Sequence, residues 1–97
     1  MKKLTSRYSF KTQAAKELIE RVIESKIDIT ELHKNWFAIC GVIKNLFGEK
    51  GREMFHRISQ FYPAHDYNVT DDFFSRCRKY RYSSDRLFEI AGKYGID

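Results

Sequence analysis

The clearest chemistry in this chain lies in Arg76-Cys77-Arg78-Lys79-Tyr80-Arg81-Tyr82, with Arg86 close behind. Cationic side chains interleaved with tyrosines suit a nucleic-acid backbone, with rings left to stack on exposed bases. The competing role is structural: Tyr80 or Tyr82 in the core, and arginines solvated at a helix C-terminus where cations suit the dipole. Arg52, His56 and Arg57 fall at i, i+4 and i+5 and extend the basic patch if the two surfaces coincide. Gly48-Glu49-Lys50-Gly51-Arg52 looks superficially like a phosphate loop. It lacks the Gly-x-x-x-x-Gly-Lys-Ser/Thr spacing and follows a helical run where a phosphate loop follows a strand, so it reads as a turn. Asp71-Asp72 reads as a pair of first-turn acids, because adjacent helical residues diverge by about 100°. His33, His56 and His65 share no metal-ligand spacing with one another or with Cys40 and Cys77. No nucleophile–base pair stands out, so the expectation is a protein that is not an enzyme and carries no metal or cofactor.

The elements that position these residues follow from composition and periodicity. With 97 residues the chain is long enough for one core without staples. No apolar run approaches the roughly 18 residues of a membrane span, and the charged start lacks the apolar stretch of a signal peptide. Cys40 and Cys77 fall on apolar helix faces and read as buried thiols of a cytoplasmic protein. The net charge of +5 is uneven. Residues 1–16 carry only basic charges, 17–31 are acidic on balance, and 76–86 are basic again.

Residues 1–11 read as a flexible basic arm. Ala15, Leu18, Ile19, Val22 and Ile23 then form one helical stripe, which places a first helix at about 12–26 with Thr12 as N-cap. Ile27-Asp28-Ile29-Thr30 breaks the pattern, and Thr30 or Asn35 caps a second helix with Trp36, Ile39, Cys40, Ile43, Leu46 and Phe47 inside. Gly48 stops it and Gly51 starts a third helix, about 51–61, packed antiparallel across the short turn. Gly41 signals a close backbone approach. Pro63 ends the third helix. Thr70 caps a fourth helix with Phe73, Phe74, Cys77 and Tyr80 buried, and Ser83 or Ser84 caps a last one that ends at Gly95. The fold class is therefore all-α: a compact single-domain bundle of about five short helices over residues 12–97.

At Trp36-Phe37-x-Ile39, Phe47-Gly48-Glu49-x-Gly51-Arg52, Phe55-His56-Arg57-x-Ser59 and Leu87-Phe88-x-x-Ala91-x-x-x-Gly95 the chain resembles the primase C-terminal domain family, second type. The versions it looks most like occur in Bacteroides-type VirE-like proteins of mobile elements, and the resemblance spans about residues 12–97. It implies a small helical accessory module of a mobile-element or phage-type DNA replication system, working beside a primase or helicase without priming activity of its own. Glu89 and Gly92 stand where the family often has histidine and a basic residue, which leaves the 76–81 segment as the expected contact. The expected working surface is Arg76, Arg78, Lys79, Tyr80, Arg81, Tyr82 and Arg86 with Arg52 and Arg57, and its partner is DNA or RNA. The alternative is an adaptor that docks onto the primase or helicase and touches no nucleic acid. A monomer is expected, with no membrane partner.

Overall fold

Ala15, Leu18, Ile19 and Val22 recur at helical spacing, and each is at most 1 % exposed. That stripe seats the first helix on the core. The computed structural model describes the backbone of residues 2–77 and 83–96 and the side chains of residues 11–77 and 83–96. In order, these residues form α1 (Lys2–Ser25), α2 (His33–Phe47), a 3-10 turn (Gly48–Lys50), α3 (Gly51–Ser59), α4 (Tyr67–Arg76) and α5 (Ser84–Gly92), with no strand among them. The Cα radius of gyration is 13.0 Å, the size of one compact unit. Among the described residues no helix is long and apolar enough to cross a membrane.

The beginning of the chain departs from expectation. The helix starts at Lys2, so Thr12 lies inside it and residues 2–11 are helical backbone. Nothing in that stretch stops propagation: it holds neither glycine nor proline, and each added residue gains a backbone bond. After α1 the chain turns through Lys26, whose φ of 58° is left-handed. The Asp28 carboxylate then accepts from the Thr30 amide at 2.8 Å and its hydroxyl at 2.5 Å, while Ile29 is fully buried. Thr30 is thereby committed two residues upstream and does not cap α2. Asn35 lies inside α2, and Leu32 occupies the N-cap position without a side-chain bond.

α2 and α3 are the closest pair. Ile43 meets Gly51, and further back along α2 Trp36 meets Phe55 and Ser59, so the two helices run antiparallel as expected. A Cβ on Gly51 would fall inside the contact distance of the Ile43 Cγ2 methyl and 3.1 Å from the Ile43 carbonyl oxygen. Close approach is thus demanded at Gly51. Gly48 ends α2 with φ 61° and ψ −141°, a conformation almost confined to glycine.

α4 starts one turn earlier than Thr70. Asp66 caps it, its Oδ1 accepting from the Val69 amide at 3.1 Å. The start of α5 is as expected, with Ser83 accepting from the Asp85 amide. Gly95 closes it at φ 80°, with Ile96 N–H donating to the Ala91 carbonyl and Gly95 N–H to that of Gly92. Those two bonds and the buried Ile96 side chain make a Schellman ending.

The core gathers α1, α2, α3 and α5 around Leu18, Ile39, Ile43, Phe55, Ile58 and Leu87, with Phe74 contributed by α4. Trp36 and Phe73 are only half-buried against it. Cys40 and Cys77 are buried and not joined by a disulfide. Burial pushes the Cys40 thiol well above its ordinary value, and its hydrogen bond with Cys77 adds to the rise.

The glycines give a direct test of this packing. Gly51→Ala is expected to lower stability by about 1–3 kcal/mol through overpacking, and Gly48→Ala by a similar amount through backbone strain. Gly92→Ala, with open space at its Cβ position, is expected to raise it by about 0.4–1 kcal/mol. Urea denaturation of the three variants reads all three signs.

Candidate functional site

Two concavities open on neighbouring faces of the α2–α3–α4 unit. The first, about 240 Å³, lies between the start of α2, the end of α3 and the first turn of α4. Trp36, Tyr62, His33 and His65 give it aromatic walls, Ser59 and Thr70 supply hydroxyls, and Glu31 and Asp66 supply carboxylates. The second is a broader and more open cleft of about 590 Å³, bounded by Glu49, Lys50, Arg52, Glu53, His56, Arg57 and Tyr67.

The wall between α2 and α4 is an aromatic stack. The Trp36 ring lies 4.1 Å from that of Phe73 at an interplanar angle of 9°, with Phe55 5.5 Å away. An indole N–H needs an acceptor when it is withdrawn from water, and Trp36 Nε1 donates to Ser59 Oγ at 2.9 Å. On the α4 side, Thr70 is 2 % exposed and its hydroxyl lies 3.2 Å from His65 Nδ1. The Trp36 indole and the Thr70 hydroxyl on this wall are therefore each held by a partner on another turn or helix. Glu31 receives the Tyr94 hydroxyl at 3.2 Å on one oxygen. Asp66 gives one oxygen to the Val69 amide.

The second cleft is built on a charge network. Arg52 pairs with Glu49 one turn before it and donates to Asp71 at 2.9 Å, to the carboxylate, and at 3.1 Å, to the backbone carbonyl. His56 Nε2 donates to the same Asp71 oxygen at 2.9 Å, and Tyr67 stacks on the His56 ring at 4.0 Å. The His56 bond first and the Arg52 bond second hold the Asp71 carboxyl below its ordinary range, and Arg52 does the same for Glu49. These two carboxylates raise the Arg52 guanidinium in turn. Two cations lie over the Phe74 ring, the Arg52 guanidinium 5.0 Å and Lys44 Nζ 5.1 Å from its centre. Lys44 also donates to the Phe74 carbonyl at 2.6 Å and the Ser75 carbonyl at 3.1 Å, the C-terminal carbonyls where a cation suits the α4 dipole.

These facts redistribute the residues singled out from sequence. Asp71 and Asp72 are not first-turn acids, because Asp66 starts α4 a turn earlier; Asp71 bridges to α3 and Asp72 pairs with Arg76. His56 does not extend a basic surface: it is buried and tied to Asp71. Arg52 and Arg57 do share the second cleft, but only Arg57 is exposed and without an ion pair among the described residues. Arg76 is exposed beside Asp72, and Arg86 pairs with Glu89 at 3.2 Å. Arg78, Lys79, Tyr80, Arg81 and Tyr82 lie outside the described residues. Among the described residues, no three His, Cys, Asp or Glu side chains converge to hold a metal.

The first cavity was not anticipated as a unit. Its lining comes from three segments, and Thr70, His33 and His65 look unremarkable one at a time. One signal was present: from Ile58 to Ser75 the chain carries no Lys or Arg, although Lys and Arg number 18 in all. That stretch supplies Ser59, Tyr62, His65, Asp66, Val69 and Thr70 to the wall.

The lowered Asp71 value fixes a pH dependence. A carboxyl depressed on folding makes the unfolded chain bind more protons, so stability rises with pH. The contribution is complete above the unfolded carboxylate value of about 3.9 and is lost as pH falls through the lower folded value. Asp71→Asn is therefore expected to lower stability at neutral pH and to converge on the parent in acid. Urea denaturation between acid and neutral pH measures it, and a constant gap over that range would contradict the network.

Compared with models of protein families, with curated proteins and with solved structures, the chain matches none.

Proposed function

We propose that this chain is a non-enzymatic helical docking module that receives a protein partner in the cavity between α2, α3 and α4. The observation that carries the reading is the placement of exposed apolar side chains at that cavity. Tyr62 and Val69 line it at 41 % and 59 % exposure. Scattered apolar residues on a surface are ordinary, but a group around a preformed concavity is the usual mark of a binding site. The resemblance of the Trp36–Ser59 blocks to replication-associated domains makes a primase or helicase of the same mobile element the first partner to test.

Direct contact with nucleic acid is the second reading, supported by the +5 charge and by Lys50 and Arg57 at the second cleft. Arg52 adds little to it, because Glu49 and Asp71 already hold its guanidinium.

The two readings separate in one set of measurements. Binding to the element's primase or helicase is expected to weaken at least about tenfold with Val69→Asp, which places a charge on the apolar rim, and to be unchanged with Arg57→Ala. Equal losses in both variants, or none in either, would contradict the docking reading. For nucleic acid, direct backbone contact predicts a log–log salt slope of about −0.7 to −0.9 per neutralised phosphate, reduced by about one phosphate in Arg57→Ala. No binding of labelled single- or double-stranded DNA at low salt would remove the second reading.

A further inference from the structure

Charge identifies what this cavity takes. The described residues lining it include Glu31 and Asp66 but no Lys or Arg, in a chain whose net charge is +5. Each carboxylate has one oxygen engaged, by Tyr94 and by the Val69 amide, and no bond to the other among the described residues. The starts of α2 and α4 both lie at this cavity, and each helix end brings about half a unit of positive charge. A full negative charge stands beside each, at Glu31 and at Asp66, so the carboxylates outweigh the dipoles and leave the site negative. Trp36 and Tyr62 line the same cavity, and an aromatic face attracts a cation that reaches it. Anionic ligands, phosphate included, are disfavoured here.

Size narrows the class further. At about 240 Å³ the cavity is below the roughly 300–1,000 Å³ of small-molecule sites, and it suits one long side chain entering from a larger partner. We propose that the cavity is the receptor for a basic side chain, arginine in preference to lysine, carried on a partner protein segment and flanked there by apolar residues. The planar guanidinium both stacks on an aromatic face and forks onto carboxylates, which a point-charge ammonium does less well. The flanking apolar residues would cover Tyr62 and Val69. This rests on the docking reading above and adds the identity of the anchoring residue.

The experiment is selection of random dodecapeptides displayed on phage against the purified chain, followed by affinity measurement of the enriched sequences as free peptides. The comparison proteins are Glu31→Gln with Asp66→Asn, and separately Val69→Asp. Gln can still accept from Tyr94 and Asn still caps α4, so the melting temperature of the double variant is expected to match the parent. Enriched peptides are expected to share an arginine beside apolar residues, to bind about tenfold or more weakly to the double variant, and to lose affinity with Val69→Asp. Their binding is expected to weaken as salt is raised, because added ions screen the carboxylates from the guanidinium. Peptides lost with Val69→Asp but acidic or wholly apolar, or indifferent to Glu31→Gln with Asp66→Asn, would overturn the basic-anchor inference and leave docking intact. Peptides indifferent to Val69→Asp would overturn both.

Discussion

The arrangement turns on Trp36. Its ring stacks on Phe73 of α4 while its N–H reaches Ser59 at the end of α3, so one side chain of α2 fixes two other helices at once. The hydrogen bond sets the rotation of the indole, and the stack sets how closely α4 approaches. Neither is a burial effect alone, since Trp36 is only half-buried. The outer edge left by this arrangement is the wall of the first cavity. The geometry that joins the helices is therefore the same geometry that makes the concavity.

A second constraint is where the charges are committed. Asp71 accepts from both Arg52 and His56, and Arg52 reaches back to Glu49, so four charged or polar groups across α3, the preceding turn and α4 are linked in one network. Partly exposed pairs of this kind add little stability one at a time, but they fix the register of α4 on α3. They also withdraw Arg52 from any surface role. Arg76 and Arg86 are likewise each paired with a carboxylate of their own helix, Asp72 and Glu89. At the first cavity, by contrast, two carboxylates stand with no Lys or Arg among the described lining residues.

How far the fold was legible in the sequence can be traced residue by residue. The stripes of α1, α2, α3 and α5 were readable because burial and helical period coincide there: Ala15 to Val22, Ile39 to Ile43, Phe55 to Ile58 and Leu87 to Ala91 are buried as spaced. The glycine turn was readable too, and a close approach falls at Gly51, against Ile43. Helix starts were harder. Thr30 and Thr70 are good caps by type, but each hydroxyl is claimed by a neighbour, Asp28 for one and His65 for the other. Local propensity cannot choose between Asp66 and Thr70 when both precede a helical run; the bridge from Asp71 to α3 decides it. The cavity was invisible for a related reason. Its chemistry comes from residues spread over Thr30 to Thr70, and only tertiary packing brings them to one wall.

The central claim is that a cationic side chain enters between Glu31, Asp66 and Trp36. It is tested most directly by two-dimensional ¹H–¹⁵N NMR during titration with a capped Leu-Arg-Leu peptide, and with its Leu-Glu-Leu counterpart. The account predicts saturable shifts of the Trp36 indole N–H and of the Glu31, His65, Asp66 and Val69 amides with the arginine peptide only. Shifts confined to Lys50 and Arg57, or an equal response to the glutamate peptide, would contradict it.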